Sequence, residues 1–261
     1  MPDQRSFRLA EHAKAAILLH ANTGEILFEK NPHRRLPPAS MTKILTALIT
    51  MDLIESGKLG WKDRVSVSAY AASIRGSTMR LKQGDSVTVE NLLKGMLIAS
   101  ANDASIAMAE HISGSVDRFV KGLNEKARAL GLTNTNFVNP NGSPAPNHYS
   151  TAFDMAMMAR ELLEKQGTTT YSGVRSALVR KAGSPPYRLR NTNKLIGVYP
   201  GIDGLKTGYT KYAGFCLCAS ACREHQRVIA VVMGEPTRKQ REVETAALLD
   251  YAFAASKKSF D

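Results

Sequence analysis

The sequence predicts a mixed α/β chain whose sheet is built from both ends and whose middle is helical. Three observations carry this reading. Two apolar runs separated by turn chemistry open the chain at residues 15–28. Helical periodicity then dominates residues 41–165. After Asn191 the pattern shortens to that of strands, before a last helical stretch at 237–255. Sheet segments at both ends suggest one sheet closed by the termini, with the central helices packed as a subdomain at its edge.

Each element follows in order. Residues 15–20 read AAILLH, Asn22-Thr23-Gly24 supplies a turn, and Ile26-Leu27-Phe28 returns the chain as a hairpin. Pro37-Pro38 breaks the chain before Ala39-Ser40. Ile44, Leu45, Leu48, Ile49 and Leu53 recur at helical spacing, so a helix begins at or just after Ser40, with Ser40 placed as its N-cap. Residues 60–165 read as mostly helical, with apolar segments at 92–99, 103–112 and 116–130. Residues 131–149 are rich in Asn, Pro and Gly and predict an ordered loop. Ser150 and Asp154 mark the start of another helix. Strands are expected at 204–210, 214–221 and 228–233, and the closing helix should bury Val243, Ala246, Leu249 and Ala252.

Composition narrows the class. The 261 residues are 43 % hydrophobic and 22 % charged, the balance of a folded globular chain. Lys and Arg number 35 against 23 Asp and Glu, a formal charge of +12. The excess suits a basic solvated surface or an anionic partner, whether nucleic acid, cell wall or membrane surface. No aromatic nucleic-acid signature accompanies the scattered basic residues. Cys216, Cys218 and Cys222 are an odd set without C-x-x-C spacing, so they read as buried free thiols rather than a metal site. The start, Met1 to Arg5, has no apolar leader, and the stretch at 44–54 is too short and polar to span a bilayer. The chain therefore reads as cytoplasmic or as a mature protein without its targeting segment.

Three short motifs carry chemistry. In Ser40-Met41-Thr42-Lys43, positions i and i+3 share a helix face, so the Lys43 amine can reach the Ser40 hydroxyl and take its proton. A helix start also offers backbone N–H groups to an oxyanion. Ser100-Ala101-Asn102 supplies a relay hydroxyl and an amide that can pair with a peptide. Lys206-Thr207-Gly208 supplies a cation and a hydroxyl for a carboxylate, and a glycine for close backbone approach. Alone, each motif is weak. S-x-x-K arises by chance on the order of once in such a length. Together, and in this order, S-x-x-K, S-x-N and K-T-G form the signature of penicillin-binding proteins and class A β-lactamases.

The stretches PPASMTKILTALI, IASANDASIAMAE, NHYSTAFDMAMMARELL and NTNKLIGVYPGIDGLKTGYT resemble the D-alanyl-D-alanine carboxypeptidase family, serine peptidase family S11. The likeness is greatest to its sporulation-associated Gram-positive branch. That resemblance implies a β-lactamase/transpeptidase-like α+β fold, a five-stranded antiparallel sheet flanked by helices, with a helical subdomain at about 60–165. It implies Ser40 as nucleophile, Lys43 as general base and Ser100 as proton relay. Asn102, Lys206, Thr207 and Gly208 would bind substrate, and the backbone N–H groups of Ser40 and Tyr209 would form the oxyanion hole. It implies no metal or organic cofactor. The expected partners are peptidoglycan stem peptides ending in D-Ala-D-Ala, with β-lactams as inhibitors and no nucleic acid. The expected location is outside the cytoplasmic membrane, as one catalytic domain of residues 1–261. Membrane attachment would come only through segments missing here, since the family's C-terminal β-domain and anchor are not expected in a chain ending Lys257-Lys258-Ser259-Phe260-Asp261. An arginine that some members carry ahead of K-T-G is replaced by Asn191-Thr192-Asn193, and Arg190 is not assigned its role. His148 is a weaker candidate for lining the cleft.

Two rival functions are weighed against this. A β-lactamase needs a residue that activates water for rapid deacylation, and residues 131–153 contain no Asp or Glu. A silent wall-binding or penicillin-sensing module would not need the full trio.

Overall fold

The computed structural model describes residues 9–257. The Met1–Arg5 start and the tail from Lys258 lie outside the described residues. The hairpin is present as β1 (Ala15–His20) and β2 (Ile26–Lys30), and the late strands as β7 (Ile202–Thr210), β8 (Gly214–Arg223) and β9 (Gln226–Glu235). They form one antiparallel sheet in the order β2-β1-β9-β8-β7. The two chain ends meet where β1 pairs with β9.

Both faces of this sheet are covered, which is why β1, β8 and β9 read as continuous apolar runs rather than alternating ones. Alternate residues still part to opposite sides. Ile17, Leu19, Cys216 and Cys218 enter a large core with the central helices. Ala16, Leu18, Leu217 and Ala219 enter a second core under the last helix. All three cysteines are unpaired, with Cys216 and Cys218 buried and Cys222 partly so.

The segment carrying Ser40 corrects the expected helix start. Ala39–Thr42 is a 3-10 turn with Pro38 at its cap, and α1 proper is Lys43–Glu55. Ser40 is thus inside the turn and is not an N-cap. Helix α1 is apolar nearly all round and lies within the core, as such a helix must.

Between α1 and the late strands run α2 (Ala69–Ser73), α3 (Val89–Ile98), α4 (Asn102–Ser113), α5 (Val116–Ala129), α6 (Ala152–Glu164) and α7 (Thr168–Ser172). Two short ladders escaped the sequence reading: β3 (Arg64–Ser66) with β4 (Ser86–Thr88), and β5 (Ser176–Val179) with β6 (Tyr187–Arg190). Helix α6 is capped by Thr151, whose hydroxyl accepts from Asp154 N at 3.0 Å, whereas Ser150 pairs its backbone with Leu36. The loop at 131–149 contains no helix or strand and is ordered by its own side chains. Asn139 Oδ1 accepts from Gly142 N at 2.7 Å and Ser143 N at 3.0 Å.

Helix α8 (Arg238–Lys257) closes the chain, but its buried stripe differs from the expected one. Val243 is 58 % exposed, and the stripe runs Arg241, Glu244, Thr245, Leu248, Leu249, Ala252. Strict three-residue spacing drifts around a helix of 3.6 residues per turn. Of the polar residues in the first turns of this stripe, Glu244 serves the segment that leads into β1. The Glu244 carboxylate accepts from His12 N at 3.0 Å and Ala13 N at 3.4 Å.

Candidate active site

A cleft forms where the 3-10 turn, the α3–α4 junction, the 139–148 loop and edge strand β7 converge. Lys43 Nζ donates to Ser40 Oγ at 3.0 Å, to Asn102 Oδ1 at 2.8 Å and to the Asn141 carbonyl at 2.6 Å. The last two oxygens can only accept. A neutral amine has two hydrogens and one lone pair. The two acceptors hold the hydrogens, so the lone pair is left facing the Ser40 hydroxyl.

Asn102 is held in the required orientation, because its Nδ2 donates to the Arg75 carbonyl at 2.9 Å and turns Oδ1 toward Lys43. Burial holds the Lys43 ammonium well below the usual lysine range. The charge of Lys206 adds to this, and Asp103 opposes it. Asp103 is itself buried at the start of α4, where Met79 N, Leu81 N and Ala104 N donate to its carboxylate. Burial nevertheless raises its pKa.

The turn carrying Ser40 is anchored from behind. Ala39 is in the left-handed region at φ 49°. The Thr42 hydroxyl donates to the Ala39 carbonyl at 2.8 Å, and His148 Nε2 lies 2.8 Å from that hydroxyl. Val138 N donates to His148 Nδ1 at 3.1 Å. With Nδ1 accepting, the ring hydrogen is on Nε2 and the imidazole is neutral. Burial pushes its pKa down to about 4. His148 therefore supports the turn from behind, with its ring also bordering an adjoining cavity.

Strand β7 supplies the opposite wall. Lys206 is buried, unlike an ordinary edge-strand lysine, and its Nζ donates to Ser100 Oγ at 2.9 Å and to the Thr207 carbonyl at 2.8 Å. Burial, with the Arg241 guanidinium as a second cause, lowers its pKa to about 7. Thr207 Oγ1 donates to Thr192 Oγ1 at 2.7 Å. Ser100 adopts φ 61° between α3 and α4, and Asn102 is the first residue of α4. Tyr209 turns its side chain outward, 57 % exposed and stacked on Phe215 at 4.2 Å.

Gly208 meets a nearer neighbour than a substrate. A Cβ there would stand 2.6 Å from the Pro38 carbonyl oxygen. The glycine lets β7 close onto the Ser40 turn, so its reason lies within the protein. The structure thus brings Ser40, Lys43, Ser100, Asn102, Lys206, Thr207 and Gly208 around one cleft. The sequence reading missed Asn141, Asp103, Thr192 as a partner of Thr207, and Arg241. Only the Asn-Pro-Asn-Gly turn chemistry hinted at the first. No group of three or more His, Cys, Asp or Glu able to hold a metal occurs among the described residues.

This fold is that of the penicillin-binding proteins and DD-peptidases. It matches penicillin-binding protein 5 from Haemophilus influenzae with a TM-score of 0.87 and 36 % identity, over 93 % of this chain and 71 % of that one. Penicillin-Binding Protein D2 from Listeria monocytogenes, solved in its ampicillin-bound form, matches with a TM-score of 0.84 and 27 % identity, over 95 % and 99 % of the two chains. The chain belongs to the peptidase S11, D-alanyl-D-alanine carboxypeptidase, family, whose model matches residues 3–237. It is 48 % identical over 251 residues to the D-alanyl-D-alanine carboxypeptidase DacF of Bacillus subtilis (strain 168), covering 96 % of this chain and 64 % of that protein. The chain spans less than two thirds of the length of the first curated relatives it matches, at 64 %, 62 % and 61 %.

Proposed function

We propose that this chain is a serine-type D-alanyl-D-alanine carboxypeptidase acting on peptidoglycan stem peptides outside the cytoplasmic membrane. The observation that carries the reading is the buried Lys43 amine, 3.0 Å from Ser40 Oγ, with its two hydrogens held by pure acceptors. Lys43 takes the Ser40 proton as Oγ attacks the carbonyl between the two terminal D-alanines. The tetrahedral oxyanion is received by the backbone N–H groups of Ser40 and Tyr209. Ser100, which accepts a hydrogen bond from Lys206, keeps its own O–H free to donate to the departing amine. Lys206 and Thr207 bind the terminal carboxylate, and Asn102 pairs with the peptide. D-Alanine leaves, and water hydrolyses the ester at Ser40. β-Lactams acylate the same oxygen and stay bound, because the 131–153 segment brings no carboxylate to activate water. That absence argues against the β-lactamase alternative.

The test is release of D-alanine from diacetyl-Lys-D-Ala-D-Ala together with fluorescent penicillin labelling. Ser40→Ala should abolish both, and Lys43→Ala should slow acylation by about 10²–10⁴-fold. Wild-type acylation rates in Lys43→Ala would remove lysine from the base role. Labelling without release would point to a penicillin sensor or to a transpeptidase with a stricter substrate.

A further inference from the structure

The β5–β6 ribbon packs one face on the core and turns the other outward. Val179 and Leu189 are buried, with Ala177 and Tyr187 packed beside them. Side chains alternate along a strand, so Ser176, Leu178, Arg188 and Arg190 share the outer face. Part of this face and residues 191–198 form an open groove of about 420 Å³. Arg175, Arg188, Arg190 and Lys194 line it, and no carboxylate or aromatic ring does. Three of these cations donate only to neutral oxygens: Arg175 to the Gly197 carbonyl, Arg188 to Ser176 Oγ at 3.0 Å, and Lys194 to the Asn191 carbonyl at 3.3 Å. Among the described residues Arg190 has no partner, and none of the four is in an ion pair. Buried Asn191 and Asn193 complete the lining. Thr192, between them, bonds Thr207, so the groove backs onto the β7 wall of the cleft.

We propose that this groove binds a linear phosphodiester polymer, with successive phosphates laid along the ribbon. Four cations without an interleaved acid leave a local positive potential that only an outside anion can neutralise. Three of the four are arginines, whose forked donors match phosphate oxygens. A tetrahedral phosphate presents oxygens to two sides at once, to the ribbon and to Lys194 on the segment that follows it. Arg188 and Arg190 stand two residues apart on one strand face, about 6.6 Å, which suits a repeating anion better than a single one. A concave groove fits a chain rather than a flat bilayer surface, and without a ring it has no platform for stacking bases. Binding here needs no contact with Ser40 or Lys43, so the proposal stands apart from the acyl-transfer reading.

The experiment measures binding of a fluorescent poly(glycerol phosphate) oligomer of about ten repeats by anisotropy over a range of salt concentrations. With four contacts, log affinity should fall against log salt with a slope of about −3. Arg188→Gln/Arg190→Gln should weaken binding at least about tenfold and flatten the slope by about one to two. Lys58→Gln/Lys62→Gln removes the same charge from exposed positions outside the groove and should stay within about twofold of wild type. Inorganic phosphate at millimolar concentration should not displace the oligomer. Thermal melts report that each variant is folded, and penicillin labelling, read separately at Ser40, should be the same in all three proteins. Equal loss in the two double variants would reduce the effect to overall charge and overturn the proposal. It would also be overturned if single-stranded DNA, poly-L-glutamate or phosphatidylglycerol vesicles bound more tightly than the oligomer with the same dependence on Arg188 and Arg190. Failure of labelling alone would count against the acyl-transfer reading and leave the groove standing.

Discussion

Lys43 and Lys206 share one cleft, and the proposed mechanism asks them to hold opposite protonation states. Lys43 needs its lone pair, and its buried position favours the neutral amine. In the proposed role as carboxylate binder Lys206 would have to be charged, yet burial and Arg241 bring its pKa to about 7. The sign of the resulting pH effect follows directly. In the free protein Lys206 loses its charge as pH rises through about 7, so kcat/KM should fall on that limb. A bound carboxylate favours the ammonium, so the same limb in kcat should lie at higher pH. Arg241→Gln removes the second cation and should move the kcat/KM limb upward. A pH profile of D-alanine release for both proteins checks this, and coincident limbs would exclude Lys206 as the titrating group.

At the scale of elements, the cleft depends on how closely three backbones approach. The 3-10 turn meets β7 at Gly208 and the 139–148 loop at Gly142, with hypothetical Cβ distances of 2.6 Å and 1.9 Å to main-chain oxygens. Backbone cannot swing aside as a long side chain can. Gly208→Ala should therefore displace the Ser40 turn and slow penicillin acylation at least tenfold by misplacement, with a smaller loss in thermal stability. Gly142→Ala adds a strained φ of +80° to the overlap, so its main effect should be on stability, by about 1–3 kcal/mol or more. Stopped-flow acylation and thermal melts separate the two. These contacts explain why the Ser40 turn could be located in the sequence but its helix type could not. Pro37-Pro38 and the apolar spacing announce a helix, whereas the left-handed Ala39 is imposed by Thr42, His148 and the loop more than a hundred residues away.

Across the whole molecule, acid should loosen the fold through His148. Its pKa is about 4 in the folded chain against an ordinary value of about 6.5, so the unfolded chain binds the extra proton first. Its contribution to stability is complete above about pH 6.5, declines as pH falls toward 4, and totals roughly 3 kcal/mol. Denaturant titrations of His148→Ala should show a flatter dependence over that window, along with lower stability at neutral pH. An unchanged slope would mean the imidazole is not held neutral. The charge of +12 belongs to this scale too, and it says more about solubility and anionic surroundings than about the fold.

The sequence by itself determined the element types wherever one strong local signal ran unopposed: the hairpin, α1, the long central helices and the three late strands. It also determined the trio Ser40-Lys43, Ser100-Asn102 and Lys206-Thr207, because their spacing and order are local facts of the chain. Tertiary structure alone decided that Lys206 is buried, that Arg241 stands near it, that the Asn141 carbonyl aims the Lys43 lone pair, and which face of α8 is covered. Each of those depends on groups brought together from distant parts of the chain, and an electrostatic or packing term between such groups leaves no periodicity for a local reading to find.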